Sequence, residues 1–88
     1  MSMDDATSQL LKELSDAKSL PLRLKGRMDN SEDVRVQIKE GDKKIDLLEK
    51  RAKETIKKLG CVSPETRTVY HHMADMLINW QTFKDSLE

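Results

Sequence analysis

The stretch Leu59-Gly60-Cys61-Val62-Ser63-Pro64-Glu65 decides how this chain folds, because its residues suit successive positions of a helix–turn–helix. Gly60 can take the left-handed conformation that closes a helix C-terminus. Ser63 can accept a hydrogen bond from the free N–H groups that open the next helix. Pro64 fits the first helical position, where a missing N–H costs nothing, and Glu65 complements the positive end of the helix dipole. The segments on either side are therefore read as the two arms of an antiparallel hairpin.

Upstream, Val34, Ile38, Gly41, Ile45, Leu48, Ala52, Thr55 and Leu59 recur at alternating spacings of three and four, the seam of an amphipathic helix over 31–59. Acid-to-base pairs Glu40/Lys44, Asp46/Lys50, Glu49/Lys53 and Glu54/Lys58 run in the favourable i,i+4 direction. Gly41 breaks the pattern. It costs about 1 kcal/mol relative to Ala in a helix, and it marks a place where a neighbouring helix can come close. Downstream, Thr66, Val69, Met73, Met76, Trp80, Phe83 and Leu87 keep the same spacing and predict a return helix over 64–87.

In the N-terminal third, Ala6, Leu10, Leu14, Ala17 and Leu20 outline a helix over 4–29 that Pro21 interrupts near 19–22, since proline removes a backbone donor and crowds the preceding turn. Leu22, Leu24 and Met28 are expected to continue the apolar face beyond the break. The cluster Asp29-Asn30-Ser31-Glu32-Asp33 reads as the turn into the middle helix. One long bent helix over 4–59 is the competing assignment, because Met3, Leu10, Ala17 and Leu24 share the heptad phase of Ile38, Ile45 and Ala52. It would have to absorb Pro21, Gly26 and the Asn30 cluster. The sequence therefore predicts an all-α, up-down-up three-helix bundle over residues 1–88, built on a long helical hairpin with a broken or kinked first helix.

Composition limits what such a bundle does. With 88 residues, 36% of them charged and 3% aromatic, the chain suffices for one small domain that hides roughly 60–65% of its unfolded surface. An independent deep-pocket enzyme is not expected. Sixteen Lys and Arg balance sixteen Asp and Glu, so there is no net positive field for nucleic acid. The single cysteine, Cys61, excludes an internal disulfide framework and fits a reducing compartment. Neither an apolar span nor a signal-like N-terminal core is visible, so a soluble, cytoplasmic protein is expected.

No phosphate loop, nucleophile elbow or zinc spacing occurs, and no catalytic residue, cofactor, metal or small-molecule substrate is assigned. His71 and His72 are adjacent and point about 100° apart on a helix, which suits ordinary surface histidines better than chelation. His71 with Asp75 is the better-placed i,i+4 couple. Cys61 is read as a small turn residue.

Two features point to binding. Lys43, Lys44, Lys50, Arg51, Lys57 and Lys58 fall at two adjacent heptad positions, and residues 43–60 hold seven bases and three acids. This electrostatic ridge is either a solvated flank or a docking surface for an acidic partner, nucleic acid or an anionic membrane. The last helix carries more apolar surface than one two-helix contact needs. Tyr70, Met73, Leu77, Ile78 and Trp80 are the candidate partner-binding residues. The favoured expectation is a non-catalytic interaction module, an adaptor or complex subunit that binds partner helices, or a second copy of itself as a homodimer. A binder of anionic surfaces is the alternative. In architecture alone, an up-down-up bundle with Trp80 on its last helix is similar to spectrin-type repeats and to the N-terminal bundles of membrane-fusion SNAREs, a likeness that carries over no residue.

Overall fold

Gly60 takes the left-handed backbone that the turn requires, with φ of +83°, and its N–H donates to the Ile56 carbonyl at 3.0 Å. Ser63 caps the next helix: its Oγ accepts from the Glu65 N–H at 3.2 Å and donates to the Glu65 carboxylate. Thr66 Oγ1 donates back to the Gly60 carbonyl, tying the two sides of the turn together. In this computed structural model, which describes residues 5–27, 34–60 and 63–87, the turn joins α3 (Val34–Leu59) to α4 (Pro64–Ser86). They follow α1 (Asp5–Lys18) and α2 (Leu20–Arg27). Cys61, Met28 and the whole 29–33 cluster lie outside the described residues.

The architecture is the expected helical bundle, with no strand among the described residues. Its extents of 47 × 21 × 16 Å are set by the 26-residue α3, since such a helix runs about 39 Å at 1.5 Å per residue. The first arm bends by 39°, and the interruption falls at Ser19, two residues before Pro21. Proline at 21 cannot donate to the Ala17 carbonyl and crowds it, so the last turn of α1 tightens. The Asp16 carbonyl becomes the acceptor for three donors: the Ser19 N–H at 3.2 Å, Ser19 Oγ at 2.8 Å and the Arg23 guanidinium at 2.8 Å. These bonds satisfy the end of α1 without breaking the path of the chain.

The core is one cluster drawn from all four helices: Leu10, Leu14 and Ala17 from α1, Leu24 from α2, Ile45, Leu48 and Ala52 from α3, and Val69, Met73, Met76, Trp80 and Phe83 from α4. The seams of α3 and α4 are thus largely the ones their spacing predicts. Three positions differ. Ala6 is exposed and Thr7 is buried in its place, because the 7, 10, 14, 17 register faces α4 while Ala6 falls one step round the helix. Leu22 is 73% exposed, because the break rotates α2 so that Leu24 alone of that pair turns inward. Leu87 is 40% exposed, lying just past the end of α4, where the seam has run out of partner.

Gly41 is buried on α3 against the Trp80 indole, and a Cβ at residue 41 would lie 2.6 Å from Trp80 Cζ2 and closer still to Cη2. The glycine in the seam is therefore the site of close helix approach that the sequence suggested. Two of the four i,i+4 pairs of α3 close: Asp46–Lys50 at 3.5 Å and Glu49–Lys53 at 3.2 Å.

Candidate functional site

The structure divides the candidate partner-binding residues. Trp80 and Met73 are 3% and 6% exposed and belong to the intramolecular core, which corrects the expectation that they face a partner. Their place on the inner face of α4 follows from the seam itself: both share the register of Val69 and Met76, whose side chains fill the space between α1 and α3. Leu77 is partly buried and packs against the core edge, whereas Tyr70 and Ile78 are 56% and 62% exposed. What remains of the expected surface is a flank of α4, not its whole apolar face.

That flank borders an open groove between α3 and α4. Ile45, Leu77, Ile78 and Trp80 supply its apolar lining, with Asp42 and Lys84 among the polar groups at the rim. Among the described residues its lining comes from α3 and α4 alone, with no residue of α1 or α2. Its edge is held by one polar cluster. Trp80 Nε1 donates to Asp42 Oδ1 at 2.7 Å, and Lys84 Nζ donates to the same oxygen at 3.0 Å. The indole N–H, with Lys84 behind it, favours the carboxylate form and holds Asp42 below the usual aspartate range. A buried indole thus has its polar tip satisfied at the surface, and α3 and α4 are fixed in register there.

The basic ridge is not one free surface. Arg51 reaches across to α1 and forms a two-pronged pair with Glu13, both N–O distances being 2.9 Å. The guanidinium lowers the Glu13 carboxyl from its ordinary value. Lys50 pairs with Asp46 along α3. Lys43, Lys57 and Lys58 are exposed and make no ion pair among the described residues, and Lys44 is exposed beside them. The ridge therefore splits into a part that locks α1 to the hairpin and a part that faces solvent.

The histidines also separate. His72, not His71, has the structural partner: Lys18 Nζ donates to His72 Nδ1 at 2.6 Å. Asp75 pairs with Lys18 at 3.6 Å, which replaces the expected His71/Asp75 couple. His71 is exposed and meets Tyr70 edge-on at 6.5 Å between ring centroids. Among the described residues no group of three or more His, Cys, Asp or Glu is placed to hold a metal ion, and no helix is long and apolar enough to cross a membrane.

The cross-helix contacts Asp42–Trp80–Lys84, Glu13–Arg51 and Lys18–His72 were not singled out by sequence reasoning. Their partners lie 38, 42 and 54 positions apart, and no periodicity within one helix links residues on another. Leu47 and Val36, 60% and 47% exposed on the outer face of α3, are further apolar groups outside the seam. Comparison with known proteins finds no family model, no curated protein and no solved structure that matches this chain.

Proposed function

We propose that the chain is a non-catalytic interaction module, a small adaptor or complex subunit whose α3/α4 groove receives a helix of a protein partner. The observation that carries this reading is Ile78: a large aliphatic side chain 62% exposed beside an apolar groove whose floor is already formed by Ile45, Leu77 and the edge of Trp80. Tyr70, about two turns toward the N-terminus of α4 and outside the groove lining, is an exposed aromatic group of the kind that anchors interfaces and would be covered only by a helix that extends past the groove. Such a helix would bury these groups together. Trp80 acts from beneath, as packed support of the groove, while Met73 belongs to the core and does not line it. The rim is mixed in charge, with Asp42, Asp46 and Glu49 beside Lys43 and Lys84, so it would favour a partner helix that carries both signs of charge along its edges. The reading extends to a cytoplasmic subunit of a larger assembly, with a second copy of the chain as the other candidate occupant.

Binding of nucleic acid or acidic lipid through the ridge has less support, since Arg51 and Lys50 are already engaged with Glu13 and Asp46.

Site-specific photocrosslinking tests the proposal. A photoreactive residue at position 78 in the full chain, expressed in its native cell, is expected to capture a discrete protein partner that the same group at Leu47 does not. The purified partner should then bind the wild-type chain and fail to bind Ile78→Glu, whose fold and thermal midpoint are unchanged. Equal crosslinking from positions 78 and 47, or binding that survives Ile78→Glu, would refute the groove as the docking site.

A further inference from the structure

We infer that Lys18, His72 and Asp75 form a pH-sensitive latch that holds the end of α1 against α4 and loosens when His72 takes up a proton. This inference is independent of the docking groove, whose lining includes none of these three residues.

The geometry defines the working state. An ammonium group has only protons to donate, so the 2.6 Å contact from Lys18 Nζ to His72 Nδ1 requires that Nδ1 carry a free lone pair, with the ring neutral and its proton on Nε2. Lys18 is the last residue of α1, its side chain is only 25% exposed, and it adjoins the Ser19 break. The contact thus joins the C-terminal end of α1 to the middle of α4. The second anchor is Asp75, one helical turn beyond His71 on α4, at 3.6 Å from the same ammonium.

Protonation at Nδ1 abolishes the acceptor and turns the ring N–H toward the lysine N–H groups. Two positive charges then share one partly desolvated contact. The charged groups acting on His72 are Lys18 from α1 and His71 and Asp75 from α4, with none from α2 or α3 among the described residues. Lys18 and His71 oppose the imidazolium and Asp75 favours it. Burial opposes it more than any of these charges, and the net effect lowers the ring from its ordinary value. The apolar contacts of Leu10 and Leu14 remain, so the expected response is a rise in local opening of α1 about the Ser19 pivot, not unfolding of the hairpin.

Native-state hydrogen exchange on the full chain, corrected for intrinsic rates, tests the latch together with an NMR titration of both histidine rings. Between pH 7.5 and pH 5, opening of α1 amides around Leu14 and Ala17 is expected to increase severalfold relative to amides of α3. The midpoint should follow the His72 ring and not the His71 ring. His72→Gln keeps an acceptor for Lys18 but cannot titrate, so it should remove the pH response, whereas His71→Gln should retain it. If His72→Gln does not fold, Lys18→Met supplies the reading: it should raise the His72 midpoint and flatten the α1 response. An α1 response that is absent in the wild type, or that persists unchanged in His72→Gln or Lys18→Met, would overturn the latch.

Discussion

The indole of Trp80 occupies the space that a side chain at Gly41 would need, and the same indole donates its N–H to Asp42, the next residue along α3. Two consecutive residues of α3 thus treat one aromatic ring in two ways: the first makes room for its carbon edge, and the second satisfies its nitrogen. Phe83 packs beside it at 5.5 Å between centroids, so the ring is bounded on several sides and cannot move aside freely. The helix crossing at this end of the hairpin depends on that fit.

Gly41→Ala is therefore expected to destabilise the protein even though alanine is the better helix former. The intrinsic gain of about 1 kcal/mol is outweighed by forcing a packed indole off its position, with a net loss of roughly 1–2 kcal/mol. Urea denaturation measures it. Combining Gly41→Ala with Trp80→Leu should give less than the sum of the two losses, because the smaller side chain vacates the contested space. A stabilised Gly41→Ala single variant would disprove the close-contact account.

Gly60 makes the opposite case. Its surroundings are open, with nothing within 4 Å of the place a Cβ would take, but its φ is +83°. Gly60→Ala should cost about 1 kcal/mol through backbone strain alone, and Gly60→Asn should recover part of the loss because asparagine tolerates this conformation better. Equal stability of all three chains in thermal melts would contradict the assignment.

Asp42 links the groove edge to acid stability. Its folded-state carboxyl titrates below the unfolded value of 3.8, so its stabilisation is present above that value and disappears as pH falls through the folded one. Asp42→Asn keeps an oxygen for Trp80 and loses the charge that meets Lys84. It should show a shallower loss of stability below pH 4 than the wild type, and Asp42→Ala should lose about 0.5–1.5 kcal/mol at pH 7. Tryptophan fluorescence at Trp80 reports both.

The Glu13–Arg51 bridge should show a coupling energy of about 0.5–1 kcal/mol in a double-mutant cycle with Glu13→Gln and Arg51→Gln. Side-chain exposures of 35% and 45% leave it open to screening, so the coupling should shrink on raising salt from about 0.05 M to about 1 M. Glu13 also titrates below 4.5 in the fold, so the bridge contributes above that pH and fades as pH falls through the lowered value. A coupling unaffected by salt would mean that packing of the side-chain stems dominates.

Leu14 is fully buried, and Leu14→Ala should cost about 2–5 kcal/mol. For a chain of this length, total stability is on the order of 4–13 kcal/mol, so the variant should be close to unfolding at 37 °C. By contrast, Leu22→Lys, at a position 73% exposed, should lie within about 0.5 kcal/mol of the wild type. Calorimetry that ranks these two the other way would show that α2 packs differently from the arrangement described above.

The sequence by itself determined the features that act over one or two turns of chain. Gly60, Ser63 and Pro64 specified the hairpin turn through local backbone preferences, Pro21 specified a break in the first arm, and the three–four spacing of α3 and α4 picked out the buried seams. Gly41 carried the signal of a close approach without naming what approaches. Tertiary structure decided how each helix is rotated against its neighbours, and hence that Thr7 is buried while Ala6 is exposed. It turned Trp80 and Met73 inward, left Tyr70 and Ile78 outside, and chose His72 over His71 as the partner of Lys18. Helical periodicity defines an apolar face only to within a broad arc, whereas burial at its margins and ion pairs between helices depend on the position of a second helix that the first one's spacing does not encode.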